Sequence, residues 1–203
     1  MVASVVATLL ALGSWTFAAM TATESVQGTI GEVIRLLDDK ELKQPERSEE
    51  RRKKLETAIG NRFSYDEMAK RSLGAQWAKM NDKQRKEFVE LFQRLLSNAY
   101  AGKIEGYTGE QVKYLNERLK DGFAEVKTKV TSGKAEVPLD YRLLEQSGEW
   151  RVYDVVVDGI SLISNYRGQF TKIIRSASYE DLVERLRNKA ETFSAPKDAD
   201  KPK

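Results

Sequence analysis

Apolar positions recur at helical spacing in the first half of the chain. Between residues 23 and 42, Val26, Ile30, Val33, Ile34 and Leu37 fall on one face at i, i+4, i+7, i+8 and i+11, which predicts an amphipathic helix. Pro45 interrupts it. The following ERSEERRKKLETAI is highly charged, with Glu49–Lys53 and Glu50–Lys54 at i,i+4 in the favourable order. It reads as a helix with a solvated face. Two further helix starts carry capping-box spacing: Ser64 with Glu67, and Asn81 with Gln84. The helix after Asn81 places Phe88, Phe92, Leu95, Leu96, Ala99 and Tyr100 on one side, the longest apolar stripe in the chain.

From about residue 110 the period changes to two. Val112 and Tyr114 alternate with Lys113, and Ala124, Val126, Thr128 and Val130 alternate with Glu125, Lys127 and Lys129. Val137 to Leu144 gives a third strand, with Pro138 near its start. Gln146-Ser147-Gly148 then turns the chain into Trp150–Val157, which is apolar on both faces. The run breaks at Asp158-Gly159, and Leu162, Tyr166, Phe170 and Ile173 return to helical spacing. A closing helix from Ser178 carries Tyr179, Leu182, Val183, Leu186 and Ala190 on one side. Helices, then a meander of short-looped strands, then helices predict an α+β domain with helices packed on one face of a curved antiparallel sheet.

Composition narrows the function. The 203 residues contain neither Cys nor His, which removes disulfides, thiol nucleophiles, imidazole bases and metal sites built on those ligands. The net charge of +3 arises from 34 basic and 31 acidic residues that are interleaved, so there is no phosphate-tracking stripe and no nucleic-acid partner is expected. Residues 1–22 are apolar and end in small residues, the pattern of a secretory signal, although no Lys or Arg precedes the run. An uncleaved membrane anchor is the competing reading at that length. Residues 23–194 form the expected domain, and 195–203 a polar, Pro-containing disordered tail.

Candidate chemistry is sparse. Gly159-Ile-Ser161-Leu-Ile163 has only part of a nucleophile-elbow pattern and no His to activate Ser161, which suits helix capping better. Asp154 lies in the middle of an apolar strand. A carboxylate in such a setting is a candidate general base for a small exported cone-fold enzyme of isomerase type. An ion pair with Arg142, Arg151 or Arg167 is the structural alternative, and so is a solvent-exposed edge position. Large apolar side chains from 82–101, the sheet and 161–174 outnumber what a tight layer needs. They fit a closed core and an open cavity alike.

Several motifs together resemble one family. Tyr65-Asp-Glu-Met68-Ala, Ser72-Leu-Gly74 with Trp77, Phe88-Val with Leu91-Phe92, Tyr100, Leu139-Asp-Tyr141, and the run Trp150 to Phe170 are similar to MlaC proteins, the periplasmic auxiliary proteins of a phospholipid ABC transporter, also called toluene-tolerance proteins. The resemblance spans roughly residues 24–193. It implies a twisted antiparallel sheet of four or five strands wrapped by helices, a cystatin-like or nuclear-transport-factor-like cone with an apolar cavity. It also implies a periplasmic shuttle that binds glycerophospholipid as cargo, with no other cofactor and no catalysis. Such a shuttle passes lipid between an outer-membrane lipoprotein complex and an inner-membrane ABC transporter bearing an MCE domain, and a monomer is expected. Family and pattern together nominate Trp77, Phe88, Phe92, Leu96, Tyr100, Val126, Tyr141, Val155, Val157, Ile160, Ile163, Tyr166 and Phe170 as cavity wall. Arg167 is the candidate headgroup cation. Helices 82–101 and 161–174 are the candidates for hinged motion, on position alone.

Overall fold

A computed structural model describes residues 20–133 and 135–188. Residues 1–19 of the expected leader, the tail and Ala190 lie outside the described residues; Thr21 and Ala22, read as the end of the leader, are instead the cap and the buried first residue of a helix. Helix α1 (Ala22–Asp38) starts on a capping box: Thr21 Oγ1 accepts from Glu24 N at 3.1 Å and Glu24 returns the contact to Thr21 N at 2.8 Å. It stops short of the residue 42 predicted by the pattern. Asp39 takes an extended backbone, and its Oδ1 accepts from the N–H groups of Glu41 and Leu42, so an Asx turn replaces the next helical turn. A 3-10 turn at Pro45–Arg47 leads into α2 (Ser48–Gly60), followed by α3 (Tyr65–Leu73), a second 3-10 turn (Gly74–Lys79) and the long α4 (Asp82–Glu105). The Asn81–Gln84 box caps α4 as expected. The Ser64–Glu67 box does not form: Glu67 turns instead to Arg71 at 2.8 Å, and the Ser64 N–H bonds to Val152 O.

Strands β1 (Gln111–Lys120), β2 (Phe123–Ser132), β3 (Ala135–Gln146), β4 (Glu149–Val157) and β5 (Ile160–Ser161) form one antiparallel meander in sequence order. The β1–β2 and β4–β5 turns are Asp121-Gly122 and Asp158-Gly159, each with both residues at positive φ. This primed geometry matches strand twist and favours Asp-Gly. The break read at Asp158-Gly159 is thus a tight hairpin. It creates a two-residue strand whose Ser161 caps α5 (Leu162–Ser176) by accepting from Ser164 N at 3.0 Å. Ser178 caps α6 (Tyr179–Arg187) in the same way.

A bulge explains why β4 is apolar on both faces. Leu143 faces Val152 but Arg142 faces Asp154, so Tyr153 is an extra residue and the alternation slips by one. Val152, Val155 and Val157 therefore share a face with Leu143, Tyr141 and Leu139. Asp154 and Val156 point to the other. The free edge of β4 is covered by Phe63, which bridges Val152, and by β5.

Among the described residues, two apolar clusters hold the fold. One joins α1 to the sheet through Ala22, Val26, Ala124, Val126, Leu143 and Val152. The larger joins α3, α4, α5 and α6 around Phe88, Phe92, Tyr166 and Phe170, all fully buried. Their ring centroids are 5.6–6.0 Å apart, with Phe92 edge-on to both Tyr166 and Phe170. Space between these helices is filled by rings.

Candidate functional site

A cavity of about 660 Å³ lies between the helices and one face of the sheet. Its floor is β3 and β4, through Leu139, Tyr141, Val152, Val155 and Val157. Val26, Ile30 and Val33 of α1 form one wall, and Leu55 and Ile59 of α2 another. Leu96, Tyr100, Ala101 and Ile104 of α4 form the third, and Phe63, Tyr65, Met68 and Leu162 close the end nearer the ring cluster. Polar side chains stand at the rim: Arg52 and Glu56 on α2, Glu90, Gln93, Arg94 and Glu105 on α4.

The nominated residues divide sharply. Leu96, Tyr100, Tyr141, Val155 and Val157 line the cavity. Phe88, Phe92, Ile163, Tyr166 and Phe170 do not; they sit in the solid cluster, because α4 and α5 press these side chains against each other and against α6. Trp77 packs on the flank of that cluster beneath Arg85, 5.5 Å from its ring. Val126 is sealed under α1. Ile160 stands on β5, half-buried and paired with the lining Val157, one strand beyond the wall. Arg167 is on the outer face of α5 with its guanidinium against Gly74, away from the rim; Gly74 itself has φ +56°, a backbone conformation that favours glycine. The missing wall residues on α1 were visible as the 26–30–33 stripe. Leu55 and Ile59 were hidden among charges.

The cavity contains little titratable chemistry. Burial pushes the Tyr65 hydroxyl up to about 12, with Glu56 adding to it, and pushes Tyr141 up further. Tyr100 is raised by burial and by neighbouring Tyr166, itself at about 12; the two buried hydroxyls make no well-formed hydrogen bond. Below pH 10, the unfolded value, these tyrosines stay protonated in both states and their stabilising contribution is intact. As pH rises toward 12 the unfolded chain sheds protons that the folded one keeps, so stability falls. Urea unfolding between pH 8 and 12 is expected to show this loss beginning near pH 10, with tyrosinate absorbance rising in step with unfolding; complete titration of the tyrosines in the folded protein would contradict it.

Ser97 holds the Glu56 carboxyl below its usual range, with help from Arg52 and against desolvation. Arg62 stands beneath the rim, donating to Trp150 O at 2.8 Å and to Thr29 Oγ1 at 3.2 Å. Arg94 is exposed and makes no ion pair with any described residue. No group of acidic side chains among the described residues is arranged to hold a metal ion.

Asp154 is 3% exposed and outside the cavity lining. Its Oδ2 accepts from Ser161 Oγ at 2.6 Å and Arg142 Nη1 at 3.1 Å, and its Oδ1 from Ile163 N at 3.1 Å. Of the three arginines considered, Arg142 is the partner. The carboxylate ties β3, β4 and the start of α5 together, with no oxygen left facing the cavity as a base would require.

The family model described as MlaC protein matches residues 27–188, most of the chain and all of the cavity wall except Val26. The chain belongs to the MlaC family. Among curated MlaC-like relatives, the intermembrane phospholipid transport system binding protein MlaC of Haemophilus influenzae is 23% identical over 124 residues. That match covers 58% of this chain and 58% of the relative's length. The toluene tolerance protein ttg2D of Pseudomonas putida is 28% identical over 158 residues, 76% of this chain and 74% of that one. A phospholipid-binding protein from Ralstonia solanacearum, solved in complex with a phospholipid, superimposes with a TM-score of 0.73 at 23% identity. The superposition covers 83% of this chain and 96% of that chain and establishes a shared fold. The α+β architecture of sheet and wrapping helices is therefore the MlaC fold.

Proposed function

We propose that this chain is a phospholipid carrier: it encloses the acyl chains of a glycerophospholipid in the apolar cavity and moves the lipid through water without altering it. The observation that carries this reading is the cavity itself, about 660 Å³ with a wall of aliphatic and aromatic side chains and a charged rim. That size falls within the range of roughly 300–1,000 Å³ typical of small-molecule sites. Family membership and the names of the relatives point the same way.

The physical need is plain. A diacyl lipid carries about 30 methylenes, and exposing them at about 0.8 kcal/mol each costs on the order of 25 kcal/mol. A carrier must offset nearly all of that and still release the lipid. Apolar contacts suit the task because they are non-directional and tolerate varied chains. The cargo's phosphate then belongs at the rim, where the exposed Arg94 replaces Arg167 as the proposed partner. The three contacts of Asp154 support a structural role for it over that of a base.

The compartment we propose is the periplasm, reached through the apolar run that precedes α1. The proposed exchange partners are an outer-membrane lipoprotein complex and an inner-membrane MCE-domain ABC transporter, with the chain working as a monomer. Organic extraction of the purified protein and mass spectrometry of the extract test the reading. Glycerophospholipid in near-stoichiometric yield is expected. Protein that carries none, and takes up none from vesicles, overturns it.

A further inference from the structure

We infer that α2 is the lid of the cavity and that cargo passes through the seam between α2 and α4. The inference rests on the carrier reading. The inward side chains of α2, Leu55 and Ile59, are wall. Yet its buried residues Leu55 and Ala58 belong to neither apolar cluster. Its close backbone neighbours are α1 and the preceding 3-10 turn, whereas α4 is braced by α3 and α6. Apolar side chains of α2 and α4 thus face a shared void, and the two helices meet through polar tips. Arg52 Nη2 donates to Asn98 Oδ1 at 2.6 Å, the Ser97 hydroxyl donates to Glu56, and Arg51 lies 3.6 Å from Glu105.

The Arg52–Asn98 and Ser97–Glu56 contacts are exposed and therefore weak, because water replaces each as it breaks, and the partly buried Arg51–Glu105 pair is long at 3.6 Å. The aromatic cluster on the far side of α4 has no such substitute. Opening the α2 seam therefore disturbs the fold least, and it uncovers apolar wall along the length of α4 from Leu96 to Ile104. Sequence position had suggested α4 and α5 as the moving parts; both are fixed in the ring cluster, and the moving part is the charged helix that looked like a solvated surface.

The absence of cysteine makes the test clean. In R52C/N98C the two thiols straddle the seam, and a bis-methanethiosulfonate reagent that dithiothreitol removes joins them. Transfer of pyrene-labelled phosphatidylethanolamine from vesicles of phosphatidylethanolamine and phosphatidylglycerol is then followed in the crosslinked sample and in the same sample after reduction. Crosslinking is expected to slow transfer at least about tenfold and reduction to restore it, as for a gated site. Equal rates in the two samples overturn the lid. Hydrogen exchange gives a second readout that needs no lipid: in the unmodified protein the α2 amides are expected to exchange well before those of Leu91–Leu96, and equal protection would overturn the proposal. If the unmodified protein accepts no lipid at all, the carrier reading fails and hydrogen exchange alone decides the lid.

Discussion

Val155→Glu is expected to leave a folded protein that no longer retains phospholipid. Val155 lies on the cavity floor, paired with Tyr141 and flanked by Val157 beyond the bulge. With the cavity empty of lipid, the introduced carboxylate meets open space that water can fill, so folding loses little beyond the valine's own contacts. With acyl chains in place the same group must be stripped of water and left unpaired, a penalty of several kcal/mol. At 1.4 kcal/mol per decade, affinity should fall roughly 100-fold or more. Native mass spectrometry of the variant beside the unmodified protein reads this directly. Val155→Leu, apolar and only slightly larger, should retain cargo. A full lipid complement on Val155→Glu would mean that this face of the sheet is not the wall.

The choice of position 155 depends on a feature the strand pattern hides. Alternation along Trp150–Val157 predicts that Val152, Asp154 and Val156 share a face; the bulge at Tyr153 puts Val152 with Val155 and Val157 instead. Periodicity within an element survives translation into structure well, which is why the capping of α4, the β2–β3–β4 meander and the apolar face of α1 were all legible. Which of several apolar faces closes on its neighbours is a different matter. Phe92 and Tyr100 sit eight residues apart in the same stripe of α4, yet Phe92 packs against the rings of Phe88, Tyr166 and Phe170 in the filled cluster while Tyr100 borders the void. Nothing in residue type separates them, since an aromatic ring packed on rings and one facing a lipid tail satisfy the same hydrophobic requirement.

Charge misleads in the opposite direction. In SEERRKKLETAIG the acids and bases dominate, and the obvious reading is a solvated helix. Leu55 and Ile59 are enough to make it a wall because the cavity needs only a narrow apolar strip there, and the surrounding charges serve the seam with α4. The most distinctive of the family-like motifs, Trp150–Phe170, contributes both floor and core. Resemblance alone does not separate Val155, on the cavity floor, from Phe170, in the filled cluster.

Asp154→Ala is expected to cost about 3 kcal/mol of stability. The substitution removes the acceptor for three donors: the Ile163 N–H and the Ser161 hydroxyl in the buried junction, and the Arg142 guanidinium. A buried donor left unpaired costs about 1–3 kcal/mol. Arg142 is 39% exposed and can turn to water or to Glu125, 3.9 Å away, so its share is smaller than for a fully enclosed pair. For a domain of this size the total corresponds to a fall in Tm of about 6–12 °C. Asp154→Asn should cost less, about 1–2 kcal/mol, because an amide oxygen still serves the Ile163 N–H while its NH₂ faces other donors. Urea unfolding measures both, with the midpoint moving and the slope unchanged. The folded fraction of Asp154→Asn should carry lipid as the unmodified protein does, since the carboxylate is no part of the cavity wall. If instead Asp154→Asn is as stable as the unmodified protein, the buried carboxylate is not the tie between the sheet and α5 that its contacts describe.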